Sequence, residues 1–261
     1  MTPTTVTTPD GFGLSVQVTG REDGPVLLLL PGQANSHAWW TETRPAFEER
    51  CRVVTFDYRG TGGSRGPVER WTTASFADDA ACVIAAVGDE PVGVYGTSMG
   101  GRVAQVLAAE HPERVRRLAL ACTSPGGPHA HERGTDVRRE LSDPDPAKRR
   151  ATLRRLFYTD AWPHRPEDSH LFGDPTMTTD ESRAHLRVSA RHDAWDLLPR
   201  IACPTLVLHG TDDLMVPGDN AALIAERIPG ATTYLHEGGR HGFFEEFAHD
   251  ITPRVLDLLH A

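Results

Sequence analysis

The residues with the clearest chemical capacity are a serine, a histidine and two adjacent aspartates that stand far apart in the chain. Ser98 lies in Gly96-Thr97-Ser98-Met99-Gly100-Gly101, Asp212 and Asp213 in Gly210-Thr211-Asp212-Asp213-Leu214-Met215-Val216-Pro217, and His241 in Gly238-Gly239-Arg240-His241-Gly242. A serine hydroxyl is a poor nucleophile near neutral pH. It needs a base to take its proton and a third, ionised group to orient that base. A serine, a histidine and an aspartate that meet in space would therefore attack a carbonyl carbon and transfer an acyl group. Gly-x-Ser-x-Gly alone also describes an ordinary glycine-rich turn. Here an apolar run, Pro91 to Tyr95, precedes it, and a helical pattern from Arg102 to Glu110, with Val103, Val106, Leu107 and Ala108 on one face, follows it. That context predicts a strand, a sharp turn and a helix, with Ser98 exposed at the turn and Gly96 and Gly100 relieving collisions around a forced backbone.

The elements needed to bring these residues together are legible in the same way. Residues 12 to 19 alternate apolar and polar, as an exposed antiparallel strand does, whereas Val26 to Leu30 is a continuous apolar run suited to a strand covered on both faces. Pro31-Gly32-Gln33-Ala34-Asn35 ends that strand, and a helix pattern follows through Trp39, Trp40 and Phe47. Further strands are predicted at Arg52 to Phe56, Leu118 to Cys122, Pro204 to His209 and Ala231 to Leu235, and helices at 74–87, at Asn220 to Arg227 and in the last segment to His260. Strand and helix alternate, which builds a mostly parallel sheet with helices on both faces. In such sheets ligands sit beyond the carboxyl ends of the strands, where Ser98, the aspartates and His241 all fall.

The alternation stops between Thr123 and about Arg200. Polar helical patterns at Pro146 to Tyr158 and Thr179 to Arg191 are separated by breaks at Pro163, Pro166, Gly173 and Pro175. This predicts an α/β core domain formed by residues 1–124 and 201–261, with residues 125–200 inserted as a helical lid. The arginines of the insertion (Arg138, Arg139, Arg149, Arg150, Arg154, Arg155) read as a solvated face. Its apolar residues either line a pocket or dock the insertion on the core. Candidate pocket residues are Asn35, Trp39, Phe157, Trp162 and Phe243.

Composition narrows the function further. With 27 basic against 36 acidic residues the formal net charge is −9, which disfavours nucleic acid and anionic membranes as partners; a small-molecule substrate is what the acyl-transfer chemistry leads one to expect. No run of about 18 apolar residues is present, and Met1 to Asp10 has neither a basic nor an apolar signal region, so a cytoplasmic protein is expected. Four scattered cysteines without C-x-x-C or metal-ligand spacing predict reduced thiols and no metal. Lys148 is the only lysine and lies in an arginine-rich polar segment, which argues against Schiff-base chemistry. No cofactor is implied.

Four stretches in order, Pro31-Gly32-Gln33, Asp57-Tyr58-Arg59-Gly60-Thr61-Gly62, Gly96 to Gly101, and Gly210 to Pro217 with His241, make the chain similar to the α/β-hydrolase superfamily over nearly its full length. Around Asn35, Trp40, Asp57 to Gly62 and Ser98 to Arg102 it resembles small esterases and enol-lactonase-like enzymes. The resemblance implies Ser98 as nucleophile, His241 as base and Asp213, with Gly210 before it and Pro217 after it, as the acid in preference to Asp212. It implies an oxyanion hole made by the backbone N–H groups of Gln33 and Met99. Pro31 stands where the family often carries a histidine; because the hole uses backbone donors, its geometry is expected to survive. A serine at 98, where related dehalogenases and epoxide hydrolases carry aspartate, argues against those reactions. The resemblance thus implies a carboxylic ester hydrolase or lactonase. Carbon-carbon bond hydrolysis, thioester hydrolysis and non-catalytic ligand binding on the same fold are the alternatives.

Overall fold

The computed structural model describes residues 3–163 and 169–260; Pro166, one of the predicted breaks, lies outside them. In chain order the described elements are β1 (Thr4–Thr7), β2 (Gly13–Gly20), β3 (Val26–Leu30), α1 (Arg44–Glu48), β4 (Arg52–Phe56), α2 (Thr73–Val87), β5 (Val92–Thr97), α3 (Met99–Glu110) and β6 (Val115–Ala121). They continue with α4 (Thr135–Leu141), α5 (Pro146–Phe157), α6 (Thr179–Ala190), β7 (Thr205–Gly210), α7 (Asn220–Arg227), β8 (Thr232–His236), α8 (Phe243–Glu246) and α9 (Ala248–His260).

The strands form one sheet of order β1-β2-β4-β3-β5-β6-β7-β8. β1 and β2 are antiparallel to each other, β2 is antiparallel to β4, and every later pairing is parallel. The four leucines of β3 show why an unbroken apolar run is needed in the middle. Successive side chains of a strand point to opposite faces, so Leu28 and Leu30 enter one core with Val83, Ile84, Val103 and Ile224 from α2, α3 and α7. Leu27 and Leu29 enter the other, with Phe47, Val255 and Leu259 from α1 and α9. Each leucine is fully buried, a contribution of about 1.5–3 kcal/mol per side chain.

Three local features depart from the sequence reading. The Thr- and Pro-rich start contains β1, an exposed edge strand whose pairing with β2 is what orders it. The helix expected through Trp39 and Phe47 is two pieces, a 3₁₀ turn at His37–Trp40 and α1, because Pro45 at the first turn of α1 starts a new helix. In the segment between β6 and β7, α4 precedes the two predicted helices, and a single bridge joins Gly126 to Asp193. Thr178 and Glu181 form a reciprocal cap at the start of α6. Val137, Leu156, Phe157 and Leu171 of this segment share a core with Trp39 and Phe243, while Ala184 and Val188 share the other with Leu30 and Phe76.

Candidate active site

The sheet register brings five loops to one edge. Leu30 pairs with Gly96, Thr97 with Ala121, Ala121 with Leu208 and Gly210 with His236, so the carboxyl ends of β3, β5, β6, β7 and β8 lie side by side. Ser98 follows β5 with φ 53° and ψ −119°, a backbone that side-chain-bearing residues rarely adopt. The flanking glycines are sterically required. A Cβ at Gly96 would stand 2.4 Å from the Gly100 carbonyl oxygen, and one at Gly100 would stand 2.1 Å from the Leu30 oxygen. The Ser98 amide donates to the Ala121 carbonyl (2.9 Å), and the Thr123 hydroxyl donates to the Ser98 carbonyl (2.7 Å).

His241 Nε2 lies 3.0 Å from Ser98 Oγ, and His241 Nδ1 lies 2.7 Å from Asp213 Oδ2. Both the imidazole and the carboxylate are buried. The other oxygen of Asp213 accepts the amides of Met215 (2.8 Å) and Val216 (2.9 Å). His209 Nε2 lies 2.9 Å from the Val216 carbonyl oxygen and 3.3 Å from Asp213 Oδ2. A carbonyl only accepts, so the proton sits on that nitrogen. Burial alone would raise the Asp213 pKa; the attraction of His241 and the hydrogen bonds from His209 and His241 outweigh it and hold the carboxyl well below the usual carboxylate range. Asp212 is exposed and accepts one bond from the Thr211 hydroxyl (3.1 Å). With Nδ1–H donated to Asp213, the lone pair on Nε2 faces Ser98 Oγ, the arrangement a general base requires.

The His241 loop hangs on the end of α5. The amides of His241 and Gly242 donate to the carbonyls of Leu156 (3.0 Å) and Phe157 (2.8 Å), and Arg240 Nη1 donates to the Tyr158 carbonyl (2.6 Å). Phe157 meets the His241 ring edge-on at 4.9 Å.

Met99 is the first residue of α3, so its amide has no acceptor within the helix. The Gln33 amide lies in the loop after β3, and among the described residues neither amide is committed to another group. The peptide that follows is clamped: Asn35 Nδ2 donates to the Gln33 carbonyl (2.8 Å), the Ala34 amide donates to His185 Nδ1 (3.2 Å) and the Asp174 amide donates to the Ala34 carbonyl (2.8 Å). Ala34 itself has φ 56°.

The expected pocket residues divide. Phe157 touches the candidate base. Asn35, 3% exposed, is turned to the backbone at both ends, its Oδ1 accepting the Gly173 amide (3.1 Å), so its amide clamps the loop. Trp39 is buried with its Nε1–H on the Thr97 hydroxyl (2.8 Å) and its ring stacked on Phe244. Phe243 is fully buried against Phe244 and His236. Trp162 stacks on Tyr158 at 5.2 Å. These aromatic groups pack on one another and on the loops after the strands, a use that sequence pattern does not separate from lining a cavity.

Sequence reasoning missed the contacts of His185, Gly173 and Asp174. His185 shares its helix face with Ala184 and Val188, and this apolar company was the one available signal that it is buried. Among the described residues no group of His, Cys, Asp and Glu could hold a metal, and no helix is long and apolar enough to cross a membrane. A cleft of about 580 Å³ beside Arg59, Trp71, Asp79 and His111 includes none of Ser98, Asp213 and His241 in its lining.

Residues 25–145 match the family described as alpha/beta hydrolase fold. A protein named "Putative carbamate hydrolase RutD" from Caulobacter sp. (strain K31) is 30% identical, the alignment covering 97% of each chain. An esterase from Exiguobacterium antarcticum superposes with a TM-score of 0.86 at 23% identity over 99% of both chains. The enol-lactonase from Burkholderia xenovorans LB400 gives 0.81 at 23% identity over 99% of this chain and 100% of that one. Both share the fold, and with full-length similarity at 30% identity the chain belongs to the α/β-hydrolase family.

Proposed function

We propose that the protein is a serine hydrolase that cleaves a carboxylic ester or lactone of a small organic substrate through an acyl-enzyme on Ser98. The observation that carries this reading is the relay from Ser98 Oγ to His241 Nε2 (3.0 Å) and from His241 Nδ1 to Asp213 (2.7 Å). His241 takes the Ser98 proton as Oγ bonds to the substrate carbonyl carbon. The oxyanion is held by the amides of Gln33 and Met99. His241 then protonates the leaving oxygen, the carbon–oxygen bond breaks, and water enters to repeat the sequence and release the acid. Residues 125–200, through Phe157 and the end of α5, act as the lid over this site.

A fluorophosphonate probe should label the wild type and release of p-nitrophenol from a short-chain ester should be rapid, whereas Ser98→Ala should show neither. Absence of labelling in folded wild type would move the reading to a ligand-binding protein. A second reading is favoured by the relative named for carbamate hydrolysis, which matches 97% of the chain. The same attack on a carbamate places a carbamoyl group on Ser98. Comparing p-nitrophenyl acetate with a p-nitrophenyl carbamate by burst and steady-state rates separates the two: a faster second phase with the carbamate favours the second reading.

A further inference from the structure

The loop that would supply the Gln33 donor is fastened from the segment between β6 and β7, not from its own strand. His185, on α6, is fully buried. Its two ring nitrogens face two different stretches of the core, 151 and 126 residues away: Nδ1 accepts from the Ala34 amide at 3.2 Å and Nε2 donates to the Arg59 carbonyl at 2.8 Å. Because an amide can only donate and a carbonyl can only accept, both bonds need the neutral ring with its proton on Nε2. Burial pushes the His185 pKa down to about 4, which keeps the ring in that form near neutral pH.

The Ala34 amide belongs to the peptide plane that begins at the Gln33 carbonyl and meets the plane of the Gln33 N–H at the Gln33 Cα. That plane is held at one end by Asn35 and at the other by His185. A left-handed backbone at a non-glycine residue, as at Ala34, persists only where its surroundings over-determine it. Pro31 occupies the start of this loop and has no side-chain hydrogen-bonding group to hold it.

We infer that His185 is a positioning residue that sets the Gln33 oxyanion donor through its Nδ1 bond to the Ala34 amide, making α6 part of the catalytic apparatus. The inference rests on the reading of the site as a serine hydrolase, and the two fail separately, because one arm of the test needs no turnover.

The two contacts can be separated by substitution. The asparagine amide places a polar atom near the position of imidazole Nδ1, and the glutamine amide places one near Nε2. His185→Asn should therefore keep the acceptor for Ala34 and lose Arg59, and His185→Gln should do the reverse. Both variants should lose similar thermal stability. Only His185→Gln should lose kcat for a p-nitrophenyl ester, by roughly tenfold or more with KM little changed, given that full removal of an oxyanion donor costs roughly 100- to 1,000-fold. Equal losses of kcat, or a larger loss in His185→Asn, would overturn the assignment.

Amide hydrogen exchange on the wild type gives the independent arm and serves if neither variant folds. The Ala34 amide should exchange at the rate of the protected amides of α6. Free exchange at Ala34 while α6 remains protected would overturn the inference whatever the enzyme turns over. Protection at Ala34 combined with no hydrolysis of any acyl substrate would instead count against the hydrolase reading alone.

Discussion

Replacing Asp213 with asparagine tests the relay where its geometry is most restrictive. Every group around that carboxylate is a donor: the ring N–H groups of His241 (2.7 Å) and His209 (3.3 Å) on one oxygen, the amides of Met215 and Val216 on the other. An asparagine must turn its NH2 toward one of these pairs. If it faces the two histidines, His241 can pair with it only by accepting at Nδ1, which moves the imidazole proton to Nε2 and removes the lone pair that faces Ser98. If it faces the backbone, it pushes apart the turn that positions residue 213. The first outcome leaves the fold intact and the tautomer wrong, a loss of about 10⁴ in kcat, or about 5 kcal/mol of barrier. Asp212→Asn is the internal control: this exposed side chain accepts a single bond from Thr211, which an amide oxygen accepts equally well, so kcat should stay within about twofold. The assay is p-nitrophenyl ester turnover with both variants first checked by circular dichroism. Asp213→Asn retaining a tenth of wild-type kcat, or Asp212→Asn falling below it, would refute the assignment of the acid.

Two further outcomes follow from the packing. Glu245 is buried, accepts the Tyr158 hydroxyl at 2.6 Å, has no partner for its other oxygen among the described residues and feels Glu42; burial pushes its pKa up to about 7. Between about pH 4.5 and 7 the folded chain holds a proton that the unfolded chain has released, so this group's contribution is present at low pH and lost as pH rises. Glu245→Gln should gain stability relative to wild type across that window, by up to about 3 kcal/mol; melting curves at pH 5 and pH 8 check it, and a pH-independent difference would sink it. Gly100→Ala places a methyl 2.1 Å from the Leu30 carbonyl oxygen and cannot be relieved by a side-chain rotation, so β3 and α3 must separate; soluble yield and melting temperature should both fall sharply, and a wild-type melt would show the turn is looser than described.

What the sequence made legible was local or motif-bound. Val26 to Leu30 reads as a strand buried on both faces because no polar residue interrupts it, and the register of that strand, Leu30 against Gly96, sets the loop after β3 next to the turn that carries Ser98. Gly96 and Gly100 announce the turn because only glycine fits there. β1 was illegible because an exposed edge strand has no apolar pattern to show, and α4 because nearly all of its residues are solvated, as Arg138, Arg139 and Glu140 are. The clamp on Ala34 was illegible for a different reason: it joins positions 34, 59 and 185, and nothing in the spacing of those residues forecasts a hydrogen bond across 151 positions. The hydrogen bonds by which Asn35 and Trp39 brace the loop were equally illegible, since polar and aromatic residues near a reactive loop can brace it as well as meet a substrate.

Among the described residues, the non-glycine positions with positive φ are Ala34, Ser98 and Cys122, and they follow β3, β5 and β6 at the same edge of the sheet. A selection for heat resistance would find Ala34 first among them, because glycine there would relax the backbone by on the order of 1 kcal/mol without removing the Ser98 hydroxyl or emptying the core around the fully buried Cys122. Such a selection would drift toward a sturdier and slower enzyme, and screening for thermal robustness and catalytic speed together is the way to keep the lineage productive.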